Sequence, residues 1–210
     1  MEKTDYVFSG FIKRSGIFYM MVFDIFRGSK PPATPFDRSY WVVPGKLLAG
    51  FYPSSDIPVI AAERLKNLIS SEVGYIINLT ETDEINRFDK PLVDYVPKLI
   101  QIGREMKKEI TCKRVPVRDL DVPTIDVMKH ILDEIDGAIL NGKTVYVHCL
   151  GGIGRTGTVV GCYLVRHGIA AGGKALAKIK KLRRNDPSAY IQSPETIAQR
   201  AFVKNWKIGD

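Results

Sequence analysis

Cys149 is followed by Leu150, Gly151, Gly152, Ile153 and Gly154, and then by Arg155 and Thr156. A cysteine, five residues, an arginine and a hydroxyl form a compact device for attacking a phosphate ester. The glycines let the backbone curl so that successive N–H groups face inward, and a helix behind them adds its positive end; together these bind an oxyanion. The same field lowers a thiol pKa, to about 3.5 to 7.5 for reactive cysteines, so Cys149 is expected as a thiolate at neutral pH. Arg155 offers a planar fork for two equatorial phosphoryl oxygens.

Two other phosphate-binding patterns compete for this stretch. Residues 152 to 157, GIGRTG, satisfy G-x-G-x-x-G between a strand and a helix, as a dinucleotide fold requires. The acidic ribose-binding residue expected roughly 20 positions on is missing, because the chain there reads KALAKIKKLRR. A Walker loop needs a lysine before Thr156, where Arg155 stands. A nucleophile in a cradle also needs a proton donor for its leaving group. Asp119 and Asp121, both in the loop-like segment PVRDLDVP, are the candidates.

These residues need a scaffold of strands feeding helices. SYWVV and KLLAG, separated by a Pro-Gly turn, read as short strands, and AAERLKNLIS sets Leu65, Leu68 and Ile69 on one helical face. YIINL, TCKRVPV and TVYV are further strand candidates. Thr124 to Leu140 carries Ile125, Met128, Ile131, Ile135 and Ile139 at helical spacing and stops at Asn141-Gly142. TGTVVGCYLVRHG reads as a helix ended by Gly168. Two more helices are expected, one over about Gly173 to Arg184 and one opening at SPET, with Ser193 as cap and Pro194 in its first turn. The result is an α/β fold, a central mixed sheet flanked by helices, closing on consecutive helices.

Residues 1–38 differ in texture: an aromatic segment, GIFYMMVFDIFRG, precedes the linker SKPPATP. They are expected to form an extension, and residues 39–210 the chemical domain. The segment at residues 17–27 fits either a helix docked on the domain or weak contact with a membrane surface. With 210 residues and 45% apolar content, one well-buried domain is expected. The net charge of +8 favours an anionic partner. Cys112, Cys149 and Cys162 are too few and too widely spaced for a disulfide framework or metal cluster, which points to a reducing, cytoplasmic setting.

HCLGGIGRTG resembles the HC-x5-R-[ST] signature of the cysteine-based protein tyrosine and dual-specificity phosphatases. It is most similar to the loop of the kinase-associated phosphatase and its bacterial relatives. PVRDLDVP resembles that family's P-[IV]-x-D-x-x-x-P segment, SPETIAQRAFVKNW its T-x-x-Q segment, and WVVPGKLLAGFYP the entry strands of bacterial members. The resemblance implies a protein-tyrosine-phosphatase-like fold and a cysteinyl-phosphate intermediate, with no cofactor or metal. It assigns Cys149 as nucleophile, Asp119 as general acid and Arg155 as phosphate clamp. It further implies that Thr156 donates to the cysteine sulfur, that His148 orients the loop and that Gln199 positions water.

Phosphorylated proteins are the expected substrates, with phosphorylated lipid or RNA 5′ ends as alternatives and a non-catalytic phospho-binding module as a third reading. Stable nucleic-acid binding is not expected: the basic residues of Lys174 to Arg184 read as the solvated face of an amphipathic helix. Lys113, Arg114 and Arg118 are expected to rim the pocket. Cys162 reads as core and Cys112 as a strand residue, with a protective Cys112–Cys149 disulfide as its alternative. His130 and His167 read as surface or capping residues.

Overall fold

The computed structural model describes residues 31–210; the aromatic segment at 17–27 lies outside them. Five strands form one sheet: β1 (Ser39–Val43), β2 (Leu47–Gly50), β3 (Val73–Asn78), β4 (Thr111–Arg114) and β5 (Thr144–His148), in the order β1-β2-β5-β3-β4. Only the β1–β2 pair is antiparallel; β2, β5, β3 and β4 run parallel. The register sets Gly50 and Asn78 on either side of His148. The loops leaving β2, β3 and β5 therefore start at one level, at the carboxyl ends of parallel strands, where open α/β sheets hold their ligands.

Among the described residues six helices cover the sheet: α1 (Pro58–Ser70), α2 (Val96–Glu105), α3 (Ile125–Leu140), α4 (Gly154–Arg166), α5 (Gly173–Leu182) and α6 (Ile197–Asn205). Strand alternation separates two cores. Val145 and Val147 of β5 join Met128, Ile131 and Ile135 of α3 and Val159 and Val160 of α4 on one face. Tyr146 points the other way, to Leu65, Leu68 and Ile69 of α1 and to Leu99 and Ile102 of α2. The β2-to-β3 crossover by α1 and the β4-to-β5 crossover by α3 thus lie on opposite faces, and β5 sits between them. That switch opens a crevice beyond His148.

Two differences from the sequence expectation concern helices. α2 is absent from the sequence reading, because its start at Val96-Pro97 looks like a turn, although Val96, Leu99 and Ile100 stand at helical spacing. The last helix is capped by Thr196 rather than Ser193: the Thr196 hydroxyl accepts from the Gln199 N–H, and the Gln199 side chain accepts from the Thr196 N–H. Ser193 instead donates its hydroxyl to the Ile153 carbonyl, 2.7 Å away. Residues ahead of β1 touch the domain, since Phe36 packs edge-on against Phe51 and Tyr146. Among the described residues no helix is long and apolar enough to cross a membrane.

Candidate active site

Beyond His148 the chain turns tightly through residues 149–153 into α4. Gly152 has a φ of +70°, and a Cβ there would come 2.6 Å from the Gly50 backbone, so only glycine fits without displacing β2. α4 begins at Gly154 without a side-chain cap, which leaves its first N–H groups for an anion. The buried Cys149 Sγ accepts from the Gly152 N–H at 3.3 Å and from the Thr156 hydroxyl at 3.1 Å. The signature loop thus already points donors at its sulfur.

Arg155 is the most constrained side chain of the site, with only 1% of its surface exposed. Its Nη1 and Nη2 each donate to one carboxylate oxygen of Glu84, both at 2.6 Å, and Nη1 also donates to the Val117 carbonyl at 3.0 Å. Nε has no partner. A guanidinium with its Nη1–Nη2 edge filled keeps its Nε–Nη2 edge for a ligand, and two parallel donors there match two phosphoryl oxygens. Asp119 reaches that edge, its carboxylate 3.0 Å from Nη2. Burial by itself favours the neutral guanidine, but the Glu84 hydrogen bonds and the charges of Cys149, Glu84 and Asp119 outweigh it, raising the pKa above the usual arginine value.

Glu84 has no counterpart in the sequence reading. Its side chain is 8% exposed, and its Oε2 also accepts from the Glu81 N–H at 3.1 Å. Arg114 secures this loop by donating to the carbonyls of Thr80 (3.2 Å) and Glu81 (2.7 Å). The available signal was three acids in four residues, Glu81, Asp83 and Glu84, just after a buried parallel strand.

His148 faces the other core. Its Nδ1 lies 3.1 Å from the Cys149 carbonyl and its Nε2 lies 2.6 Å from the Tyr95 hydroxyl. A carbonyl only accepts, so Nδ1 carries the proton and Nε2 accepts from Tyr95. Burial lowers the His148 pKa to about 3, helped by the charges of Arg114 and Arg155 against the opposing hydrogen bond to Cys149. The ring is neutral and pins the backbone carbonyl of the nucleophile.

Cys112 sits on that same side, 3.4 Å from the Tyr95 hydroxyl, and burial raises its pKa. Cys149 belongs to the opposite core, so the two sulfurs are not brought together, and all three cysteines are free. Cys162 is buried in α4. His130 is half-exposed, 4.0 Å from Glu134, and His167 lies 3.0 Å from Asp136.

Asp121 turns its carboxylate to its own loop, accepting from the Val122 N–H. Its carbonyl accepts from Gln199 Nε2 at 3.0 Å. Gln199 Oε1 in turn accepts from the N–H groups of Glu195 and Thr196, both at 3.1 Å, and the amide lies against Gly154. Gln199 therefore links the acid loop, the phosphate loop and α6. The expected basic rim is not assembled: Lys113 pairs with Glu134 at 2.6 Å and Arg114 is spent on the Glu81 loop, which leaves only Arg118 exposed.

The family model for the DSP-PTPase phosphatase of polymorphic toxin systems matches residues 55–169. The chain belongs to the DSP-PTPase family of cysteine-based phosphatases. Among curated relatives, this DSP-PTPase is 34% identical to phosphatidylglycerophosphate phosphatase PTPMT2 of Arabidopsis thaliana over 139 residues, which cover 65% of the chain and 52% of that protein. It is 28% identical to the dual specificity protein phosphatase CDC14AB of Danio rerio over 178 residues, or 81% of the chain and 25% of that protein. The chain thus spans about half or less of these relatives' lengths. Among solved structures, kinase associated phosphatase carrying a serine at its catalytic cysteine aligns with a TM-score of 0.60 and 18% identity, over 83% of this chain and 93% of that one. PTPMT1 in complex with PI(5)P aligns with a TM-score of 0.58 and 20% identity, over 81% and 94%. Both share the DSP-PTPase fold, the mixed sheet flanked by helices.

Proposed function

We propose that this chain hydrolyses phosphate monoesters on phosphotyrosine or phosphoserine and phosphothreonine proteins through a cysteinyl-phosphate intermediate. The observation that carries the reading is the Nε–Nη2 edge of a buried Arg155, where Nε has no partner among the described residues, Nη2 meets Asp119, and Cys149 lies within electrostatic reach. A phosphoryl group there meets the guanidinium, the loop N–H groups and the end of α4 together.

In the first step the Cys149 sulfur attacks phosphorus in line, the P–O ester bond breaks and Asp119 gives its proton to the departing oxygen. In the second, Asp119 takes a proton from water as that water attacks phosphorus. The P–S bond then breaks, releasing inorganic phosphate. Thr156, already hydrogen-bonded to the sulfur, stabilises the returning thiolate. His148 and Tyr95 hold the nucleophile's carbonyl, and Gln199 ties the acid loop to the phosphate loop. We assign the chemistry to residues 39–210, with residues 1–38 as an extension, and a reducing, cytoplasmic compartment suits a mechanism that needs a free thiol.

A second reading, a lipid phosphate as substrate, is favoured by the likeness to PTPMT2 and to PTPMT1 in complex with PI(5)P. Against it stands a loop whose variable positions, Leu150, Gly151, Gly152, Ile153 and Gly154, carry no cation for a polyanionic headgroup. The test is metal-free turnover of an aryl phosphate, phosphopeptides and a phosphoinositide by the native chain and by Cys149→Ser. Phosphopeptide turnover that vanishes in Cys149→Ser is expected. Turnover retained by the serine variant overturns covalent catalysis, and turnover confined to the lipid overturns the protein substrate.

A further inference from the structure

Beside the phosphate loop runs a second concavity, a groove of about 410 Å³. Its wall at the loop is Leu150 and Gly151, and from there it extends past Phe51 to Arg87 and Phe88. Phe51 forms the centre of a cationic stack: the Arg38 guanidinium lies 4.6 Å from its ring centroid and that of Arg64 lies 4.8 Å away. Arg38 donates to the Gly151 carbonyl at 2.8 Å, which ties this stack to the backbone that cradles phosphate. Arg64 is anchored on the Ser54 carbonyl at 3.0 Å. Arg87, across the groove, stacks on Phe88.

None of these three guanidiniums has a carboxylate partner among the described residues, whereas Arg155 and Arg166 each have two. Asp56 is the one acid in the lining, and it is exposed. The anchors of Arg38 and Arg64 are neutral carbonyls, and among the described residues no carboxylate offsets their charge and the Arg38 Nε has no partner. Aromatic faces and backbone carbonyls hold these cations in place beside the reaction centre. A preorganised cation with no counter-ion is a receptor for an anion on the ligand.

We propose that this groove is a second anion subsite, which receives a carboxylate or phosphate carried by the same phosphoprotein segment close to the scissile phosphoester. The inference rests on the phosphoprotein reading above and deepens it, by making acidic or doubly phosphorylated segments the substrate class. Apolar Leu92, Val93 and Leu150 line the groove together with Arg38 and Arg87, as suits a chain that presents side chains of mixed character. Recognition thus falls to Arg38 and Arg87 rather than to Lys113 and Arg114, which are internally paired.

Binding to Cys149→Ser protein tests this without depending on turnover. The ligands are one phosphopeptide with neutral flanks, its counterpart with neighbouring glutamates, and vesicles carrying a phosphoinositide. The acidic peptide should bind about tenfold or more tightly than the neutral one, the size of one charge-assisted hydrogen bond. That ratio should fall towards one when Arg87→Glu or, separately, Arg38→Gln, the two guanidiniums that line the groove, is added. Equal affinities, or a preference that both variants retain, overturn the subsite. Tighter binding to the vesicles that either variant abolishes also overturns it, assigning the groove to lipid. Aryl phosphate turnover by the native chain reports separately on the catalytic reading, so the two failures are distinguishable.

Discussion

Glu84 offers the sharpest test of how this site is built. Replacing it with alanine removes both 2.6 Å acceptors from a guanidinium that is 1% exposed. The Val117 carbonyl at 3.0 Å remains, and so does Asp119, but the Asp119 carboxylate is 58% exposed and screened, so it compensates little. Leaving a buried charge without its partner costs about 3 to 5 kcal/mol, and the remaining acceptors favour the lower end. At about 2 to 4 °C per kcal/mol for a chain of this size, the Tm should fall by about 6 to 12 °C. Catalysis should suffer separately, because the Nε–Nη2 edge is aimed only while the opposite edge is held. Misaligning one transition-state donor costs roughly 10²- to 10³-fold in kcat. Calorimetry gives the first quantity, and aryl phosphate turnover well below the lowered Tm gives the second. Glu84→Gln, which keeps shape but turns an amide N–H toward the arginine, should fall between the native and alanine forms. A Tm and a kcat both near native in Glu84→Ala refute the reasoning.

Other outcomes follow from the same geometry. Asp119→Asn should lower kcat about 10²- to 10⁴-fold, most for alkyl phosphates whose leaving groups need a proton, and Asp121→Asn should do far less; the reverse ranking in steady-state kinetics moves the acid's role. His148 has a folded pKa near 3, below its unfolded value of 6.5, so the unfolded state binds more protons between these values and stability is lost as pH falls through that window. Denaturant melts should show about 2 kcal/mol lost between pH 7 and pH 5 on this account, and that part should be missing in His148→Gln. Tyr95→Phe leaves the buried His148 Nε2 without its donor and should cost about 1 to 3 kcal/mol in the same melts.

The parts of the site legible in the sequence are those whose geometry is local. The phosphate loop is one continuous turn into a helix, so glycine placement and the Cys149-to-Arg155 spacing already imply the cradle. Asp119 and Asp121 both follow β4 by a few residues, and it is the resemblance of PVRDLDVP to the family's P-[IV]-x-D-x-x-x-P segment that singles out Asp119. Glu84 is different: it lies 71 positions from Arg155 in sequence, and the β3 carboxyl end brings them together. Tyr95 reaches His148 in the same non-local way, from the start of α2, a helix whose Val96-Pro97 opening reads as a turn. The Thr196-x-x-Gln199 pattern is also a capping box, and Pro194 drew the expected helix start too early. Lys113 and Arg114 looked free in one dimension, but β4 turns them toward partners on α3 and the Glu81 loop.

The central claim is that the Cys149 sulfur becomes bonded to phosphorus during turnover. Rapid acid quench of the Asp119→Asn variant with aryl phosphate, followed by mass spectrometry of the digested protein, tests it directly. One added phosphoryl group on the peptide containing Cys149, absent from the Cys149→Ser protein, is the predicted result. Turnover with that peptide unmodified, or a phosphoryl group found on another residue, contradicts the account.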